Sequence, residues 1–278
     1  MTDNKKRGQH YNPRFYLKYF SSENNGEYYI WCFDKEAGKS FKTNINNIGK
    51  ENWFYTRNDL YEETLSILDG YHSTVYRIIE TAPIYSLIEQ EKRIIAEFIY
   101  LTAARTRKAR EDTLVVNQDV LHNNKFRKEF QYVFPGKVIE EELEGLKRNI
   151  QLSNMFDVKI LYNNPNASEL IDKIMSFDLF ILKNEIGTEF CTSDHPISCF
   201  DLTNEEGFKV VFPLSPEQCL VIYNDKEWLE AFPTQRILVN EWFVKYANEK
   251  MIQTAHKFIY SRSSNFGFVR KFMENQKK

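Results

Sequence analysis

The spacing of the apolar residues changes twice along the chain, and this limits the possible folds more than any other feature. From about residue 58 to residue 152 apolar side chains recur every three or four positions, the signature of helices buried along one face. Before and after that stretch they come in short β-prone runs separated by turn residues. Asn12-Pro13 reads as a helix start, predicting a short helix over 13–20. Strands are expected at 27–33 and 39–45, with a short extended piece at 51–56. The periodic stretch predicts helices over 59–80, 86–111, 114–131 and 137–152. Short strands then follow at 157–162, 177–183, 188–192, 208–213 and 218–223. Helices at 225–231 and 234–256 and strands at 257–260 and 266–269 complete the prediction. There is no βαβ alternation and no repeat. The expected class is α+β, a central helical bundle packed against a mostly antiparallel sheet. Residues 1–278 are expected to form one composite domain. The alternative is a boundary near 153, separating a hairpin and bundle (1–152) from a β-rich part (153–278).

Composition excludes several classes. The chain carries 22 Phe, 16 Tyr and 4 Trp but only 10 Gly and 8 Pro, and its net charge is −2. Disorder and collagen-like sequence do not fit, nor does a polyelectrolyte binder. No apolar run approaches the ~20 residues of a membrane span. The first residues precede no apolar stretch, so the reading is a cytoplasmic protein without a secretory signal. The cysteines, Cys32, Cys191, Cys199 and Cys219, are irregularly spaced, with no zinc-like pattern. There is no P-loop, no Rossmann glycine pattern, no nucleophile elbow and no zincin motif.

The oddest residue is Arg105. The stripe Leu87, Ile94, Phe98 and Leu101 continues at helical spacing to position 105, where an arginine stands. A guanidinium on a buried stripe keeps its proton and must be paired. It is a snorkelling side chain, a structural ion pair, or an anion-binding group. Arg107, Lys108 and Arg110 read as solvated. On the preceding helix Glu62, Leu65, Asp69, His72 and Tyr76 share one face, so two acids and a histidine stand beside the apolar row. A polar network between the two helices is the expectation; a solvated edge is the alternative.

Two further segments stand out. From Lys5 to Phe20, Lys5, Lys6, Arg7, Arg14 and Lys18 interleave with Tyr11, Phe15, Tyr16, Tyr19 and Phe20, with no acid between them. That mixture suits nucleic acid, where phosphate charge and base stacking are met together; the alternative is aromatics packed inward with cations in water. His10 stands just before the first helix. Farther on, a strand-like run ends in Thr192-Ser193-Asp194-His195 and is stopped by Pro196. Three consecutive side chains diverge, so they form no triad, but the strand end can lend one member to a site. An Asx-turn is the structural alternative for Asp194.

Taken in order, these residues resemble the family known as domain of unknown function 4238. The resemblance rests on His10-Tyr11-x-Pro13-x-Phe15-Tyr16-Leu17-x-x-Phe20, Trp53-Phe54-Tyr55, Glu62 with an acidic position seven later, and Ala104-Arg105-Thr106. It continues with Phe190-x-Thr192-Ser193-Asp194-x-Pro196, Phe212-Pro213-Leu214-Ser215-Pro216 and Asn240, over about residues 9–262. Asp69 stands where the pattern usually has glutamate, and Arg107 where proline is frequent. The resemblance implies no reaction; it implies that His10, Glu62, Asp69, Arg105 and Asp194 belong to one ordered set. The expectation is that these five converge as catalytic residues, with Tyr11, Tyr16, Ser193, His195 and Asn240 as substrate contacts. Arg105 would clamp phosphate and His10 would act as general acid or base. The chemistry would be phosphoester hydrolysis on nucleic acid, RNA before DNA, without a metal or with Mg2+ on Glu62 and Asp194. A toxin or phage-defence role would suit such an enzyme. The alternative is a non-catalytic nucleic-acid- or protein-binding module whose polar cluster is structural.

Overall fold

The computed structural model describes residues 8–55, 59–113, 123–133, 135–156, 165–185, 187–198 and 208–276. The chain opens with β1 (Gly8–His10) and α1 (Arg14–Tyr19), followed by β2 (Ser22–Asn24), β3 (Glu27–Asp34), β4 (Lys39–Asn44) and β5 (Lys50–Asn52). The helical section holds α2 (Asp59–His72), α3 (Thr74–Thr81), α4 (Glu89–Ala104), α5 (Arg107–Thr113), α6 (Asn124–Val133), α7 (Ile139–Phe156) and α8 (Pro165–Met175). Then come β6 (Leu179–Asn184), β7 (Thr192–Ser193), β8 (Phe208–Ser215), β9 (Gln218–Tyr223), α9 (Lys226–Ala231), β10 (Arg236–Val239), α10 (Glu241–Thr254), β11 (Phe258–Ser261) and α11 (Gly267–Asn275). The class is α+β.

Three sheets form among the described residues. β1 pairs antiparallel with β5. A second sheet runs β10-β6-β9-β8, antiparallel except for the parallel β10–β6 pair. The third runs β2-β3-β11-β7, with β4 on the free side of β3, all antiparallel. The second sheet is buried on both faces by simple alternation. Ile181, Val210, Phe212, Leu220 and Ile222 join the core built with α3, α4 and α8. Phe180, Leu182, Val211, Cys219 and Val221 face Phe243, Val244 and Ala247 of α10. Phe33, Met251, Ile252, Ile259, Phe266 and Val269 close a third cluster between β3, β11, α10 and α11.

Several predicted elements come out differently. The helix over 59–80 breaks at Ser73, and the one over 86–111 ends at Ala104 and restarts at Arg107. The strand at 188–192 shrinks to Thr192–Ser193. The span 234–256 opens as β10, because Arg236-Ile237-Leu238-Val239 finds an open edge beside β6; the helix begins only after Asn240. Residues 266–269 start α11, since Phe268, Val269 and Phe272 repeat at helical spacing against α10. Asn12 is fully buried and caps nothing; Pro13 occupies the cap position. The strand at 157–162 and residues 114–122 lie outside the described residues.

The N-terminal aromatics pack inward. Tyr16 and Phe20 are inaccessible, and Tyr19, more exposed, stacks on Tyr76 at 3.7 Å. The Tyr16 hydroxyl bonds Thr192 and donates to the Pro213 carbonyl at 2.8 Å, tying α1 to two strands distant in sequence. Tyr16→Phe would leave that hydroxyl and carbonyl buried with one bond fewer each. A loss of about 1–3 kcal/mol in denaturant unfolding is expected, with the spectrum of the native state unchanged.

Candidate functional site

Arg105 is the C-cap residue of α4 and is 2 % exposed. Its guanidinium is engaged on every side. Nη1 donates to Asp69 Oδ1 at 2.7 Å and Nη2 to Oδ2 at 3.3 Å, a two-pronged pair with α2. Nε donates to the Tyr11 carbonyl at 3.0 Å, and Nη2 reaches the His10 carbonyl at 3.4 Å. The Tyr55 hydroxyl lies 3.3 Å from both the His10 and the Arg105 carbonyls. Gln9 Oε1 takes the Tyr55 amide at 2.7 Å. Gly49 completes the seat of this segment. Its carbonyl accepts the Tyr11 and Asn12 amides, its φ is +62°, and a Cβ there would stand 2.9 Å from Asn12 Cβ. The network expected between α2 and α4 is present. What differs is the job of Arg105: it holds Asp69 and the N-terminal main chain, with no face turned to solvent.

Asp194 anchors a second knot. It is 2 % exposed, and its Oδ1 accepts the His256 amide at 2.9 Å. Oδ2 accepts the amides of Lys257 and Phe258 at 2.8 and 2.9 Å. The carboxylate therefore caps the start of β11 and is not part of an Asx-turn on its own backbone. Burial pushes its carboxyl above the usual range, while the three amides and His256 pull the other way. Ser193 is buried; its hydroxyl donates to the His195 carbonyl at 2.7 Å and accepts the His195 amide, shaping the turn before Pro196. His195 Nδ1 lies 2.6 Å from the Thr106 hydroxyl. Burial and nearby Lys108 push the imidazole down to about 4, against the pull of Asp112.

Tyr11 joins the knots. Its carbonyl is held by Arg105, while its phenol meets Tyr260 and feels the charges of Asp194, Glu51 and Arg107. Burial, then Asp194 and Glu51, push that phenol upward. In front of it lies a row of half-exposed charges. Arg107 pairs with Glu51 and, at 3.3 Å, with Glu111. Glu111 also meets His256 Nδ1 at 3.2 Å. Neither Glu111 nor His256 was singled out by sequence spacing, because an exposed i,i+4 pair and a lone histidine after a helix carry no signal.

Of the other expected contacts, His10 is half-buried beside this seat and Asp69 keeps 24 % of its side chain open. Tyr16 is sealed in the core, so it is no surface contact. Asn240 caps α10 through Phe243. It stands about 20 Å from the Asp194 end of that helix, given the rise per residue, and so is not part of this site. The side chain of Glu62 lies outside the described residues. Arg110, read as solvated, is 2 % exposed; it lies 3.6 Å over the Phe54 ring and donates to the Phe54 carbonyl and Gln151. Among the described residues no three His, Cys, Asp or Glu side chains converge as a metal ion would need. Both Asp194 oxygens are taken by main-chain amides, and the side chain of Glu62, the other residue of the expected magnesium site, lies outside the described residues.

The chain belongs to the family of proteins of unknown function DUF4238. That family's sequence model matches residues 8–265, nearly all of it. No curated protein and no solved structure matches. The DUF4238 match thus takes in both knots and the whole path between them. No helix among the described residues is long and apolar enough to cross a membrane.

Two measurements probe these knots. Arg105→Met strands Asp69 and two carbonyls, and a loss of about 3 kcal/mol is expected. Adding Asp69→Leu should recover part of it, measured as a double-mutant cycle in urea. For His195 the unfolded ring titrates near 6.5 and the folded ring at about 4. The unfolded state therefore binds more protons in between, and stability falls as pH drops from 6.5 through 4. A sealed group would lose about 3 kcal/mol; the ring keeps some solvent contact, so about 2 kcal/mol is expected. His195→Gln should flatten that part of the stability–pH curve relative to wild type.

Proposed function

We propose that this protein is a phosphoester hydrolase acting on nucleic acid, RNA before DNA, with its chemistry at the open edge of the Arg105 brace. The observation that carries the reading is the sharing of one guanidinium between Asp69 and the His10 and Tyr11 carbonyls. A carboxylate and an imidazole-bearing segment, far apart in sequence, are fixed by the same planar donor before any ligand arrives. His10 is the general acid or base of this reading and Asp69 the fixed charge beside it. Arg105 is a positioning residue. Phosphate would meet Arg107 and Lys108, which begin α5 immediately after the brace and remain 40 % and 37 % exposed in their side chains. Asp194 and Ser193 shape the wall behind them. A toxin or phage-defence role would draw on the same activity.

A second reading has its own support. The enclosure of Arg105 and the full occupation of Asp194 suit a non-catalytic module in which the polar cluster only docks elements. RNA and DNA degradation by wild type, His10→Ala and Arg107→Gln separates the two. The hydrolase reading expects measurable RNA turnover in wild type, a fall of at least about a hundredfold in His10→Ala, and a smaller fall in Arg107→Gln with a raised KM. Negligible turnover in all three, from protein with native unfolding curves, would leave the structural module.

A further inference from the structure

A cleft lies at the far end of α4 from the knots. Lys92, which lines it, stands about 20 Å from Arg105 along that helix. The cleft has a volume of about 250 Å³ and is lined by residues of α4, the end of α8, the second sheet and α9. Its walls are apolar. Ile95, Ile174 and Ile222 are buried, and Leu179 and Leu229 are half-buried beside them. The polar residues of the lining are Tyr85, Lys92, Asp178 and Gln235. An apolar cavity of ~150 Å³ holds benzene, so this cleft has room for a branched alkyl group and a small polar head.

Gln235 is 7 % exposed, and its main chain is fully used. Its amide donates to the Phe232 carbonyl at 2.8 Å and its carbonyl accepts the Ile181 amide at 2.9 Å. Its side-chain carboxamide makes no hydrogen bond with the described residues and is not sealed from solvent. The free amide is therefore the group that Gln235 offers to the cleft. Its φ is +53°, where glycine would be less strained than glutamine. Asp178 is half-buried and Lys92 exposed, and neither is in an ion pair with another described residue. Burial raises the Asp178 carboxyl and Lys92 pulls it back down, so the two charges feel each other without pairing. Opposite charges held apart at an apolar cleft match a molecule that carries an ammonium, a carboxylate and an alkyl group. We propose that this cleft binds a free α-amino acid with a branched apolar side chain, such as leucine. The side chain would lie among Ile95, Ile174 and Ile222, the ammonium on Asp178, and the carboxylate on Lys92 and the Gln235 amide. This site and the phosphoester reading above do not depend on each other.

Isothermal titration of the full chain with L-leucine should show saturable binding. Leucinamide keeps the ammonium without the carboxylate, and 4-methylpentanoate keeps the carboxylate without the ammonium. Each should bind about tenfold more weakly, the worth of one hydrogen bond to a charged group. Lys92→Gln should weaken leucine and leave leucinamide unchanged. Asp178→Asn should weaken leucine and leave 4-methylpentanoate unchanged. Gln235→Gly, which suits the left-handed backbone, should weaken leucine and 4-methylpentanoate alike. Lys92 and Asp178 both reach solvent, so their variants test the site even where Gln235→Gly fails to fold. Absence of leucine binding, or wild-type leucine affinity in both charge variants, would overturn the proposal. So would leucinamide binding as tightly as leucine, the behaviour of a site for a peptide N-terminus, or 4-methylpentanoate doing the same.

Discussion

A guanidinium that cannot lose its proton must be given acceptors wherever it is buried, and Arg105 is almost completely buried. The chain meets this demand from two remote places, the carboxylate of Asp69 and the main chain at residues 10–11. Much of the local architecture follows. β1 is only three residues long and pairs with an equally short β5, too little to hold an N-terminal segment by itself. Arg105, the Gln9–Tyr55 bond and the Gly49 carbonyl supply the fixation that the ladder lacks. Such a pair adds little net stability over apolar packing, since desolvation offsets attraction. Its effect is specificity: the four hydrogen bonds from Arg105 to Asp69 and to the His10 and Tyr11 carbonyls form together only in one docking of α2, α4 and the N-terminal segment.

The second knot obeys the same logic with the charge reversed. Asp194 is a buried anion, and it is met by three consecutive main-chain amides, a concave donor surface suited to negative charge. The two knots are linked through the backbone. Arg105 is followed by Thr106 and Asp194 by His195, and those neighbours bond each other. Tyr11 adds a third link, with its carbonyl on one knot and its phenol by the other. The cluster is therefore one connected network assembled from five stretches of chain. A network of this kind suits a catalytic platform and equally a purely structural hub. That is why enclosure alone does not decide between the two readings of the site.

Arg105 and Asp69 were legible because helical spacing puts each on a face where its charge is out of place. The partners of Asp194 were not, since they are main-chain amides about sixty residues downstream, and an amide carries no sequence identity. Arg110 was misread for a geometric reason. α4 stops at Ala104 and α5 restarts at Arg107, so extrapolating the 3.6-residue phase through Arg105 puts Arg110 on the wrong side, although Arg107 and Lys108 do remain partly exposed. A similar ambiguity hid β10: Ile237, Leu238 and Val239 suit a strand or a buried helical turn, and only the open edge of β6 selects the strand. In α11 the reverse held. Phe266, Phe268 and Val269 suggested a strand, while the repeat through Phe272 and Met273 belongs to a helix packed on α10.

Asp194 and Glu189 show two ways of accommodating a carboxylate. Asp194 is deep and both of its oxygens are met by amides, so the protein alone completes its hydrogen bonding. Glu189 is held as firmly, through Arg262 on one oxygen and Asn248 on its carbonyl, yet its other oxygen is left without a donor. The two positions differ in what surrounds them. Asp194 is closed over by the chain from His256 to Phe258, whereas Glu189 borders a groove lined by Phe268 and Phe272, by Lys245 and Lys271, and by the carboxylates Glu241 and Glu249. Neither carboxylate is open to a donor from outside: the Asp194 oxygens are taken by amides, and the remaining Glu189 oxygen is closed to solvent. The polar knots are the frame of the molecule, and the partly open charges Asp69, Arg107 and His256 are themselves tied to Arg105, Glu51 and Glu111.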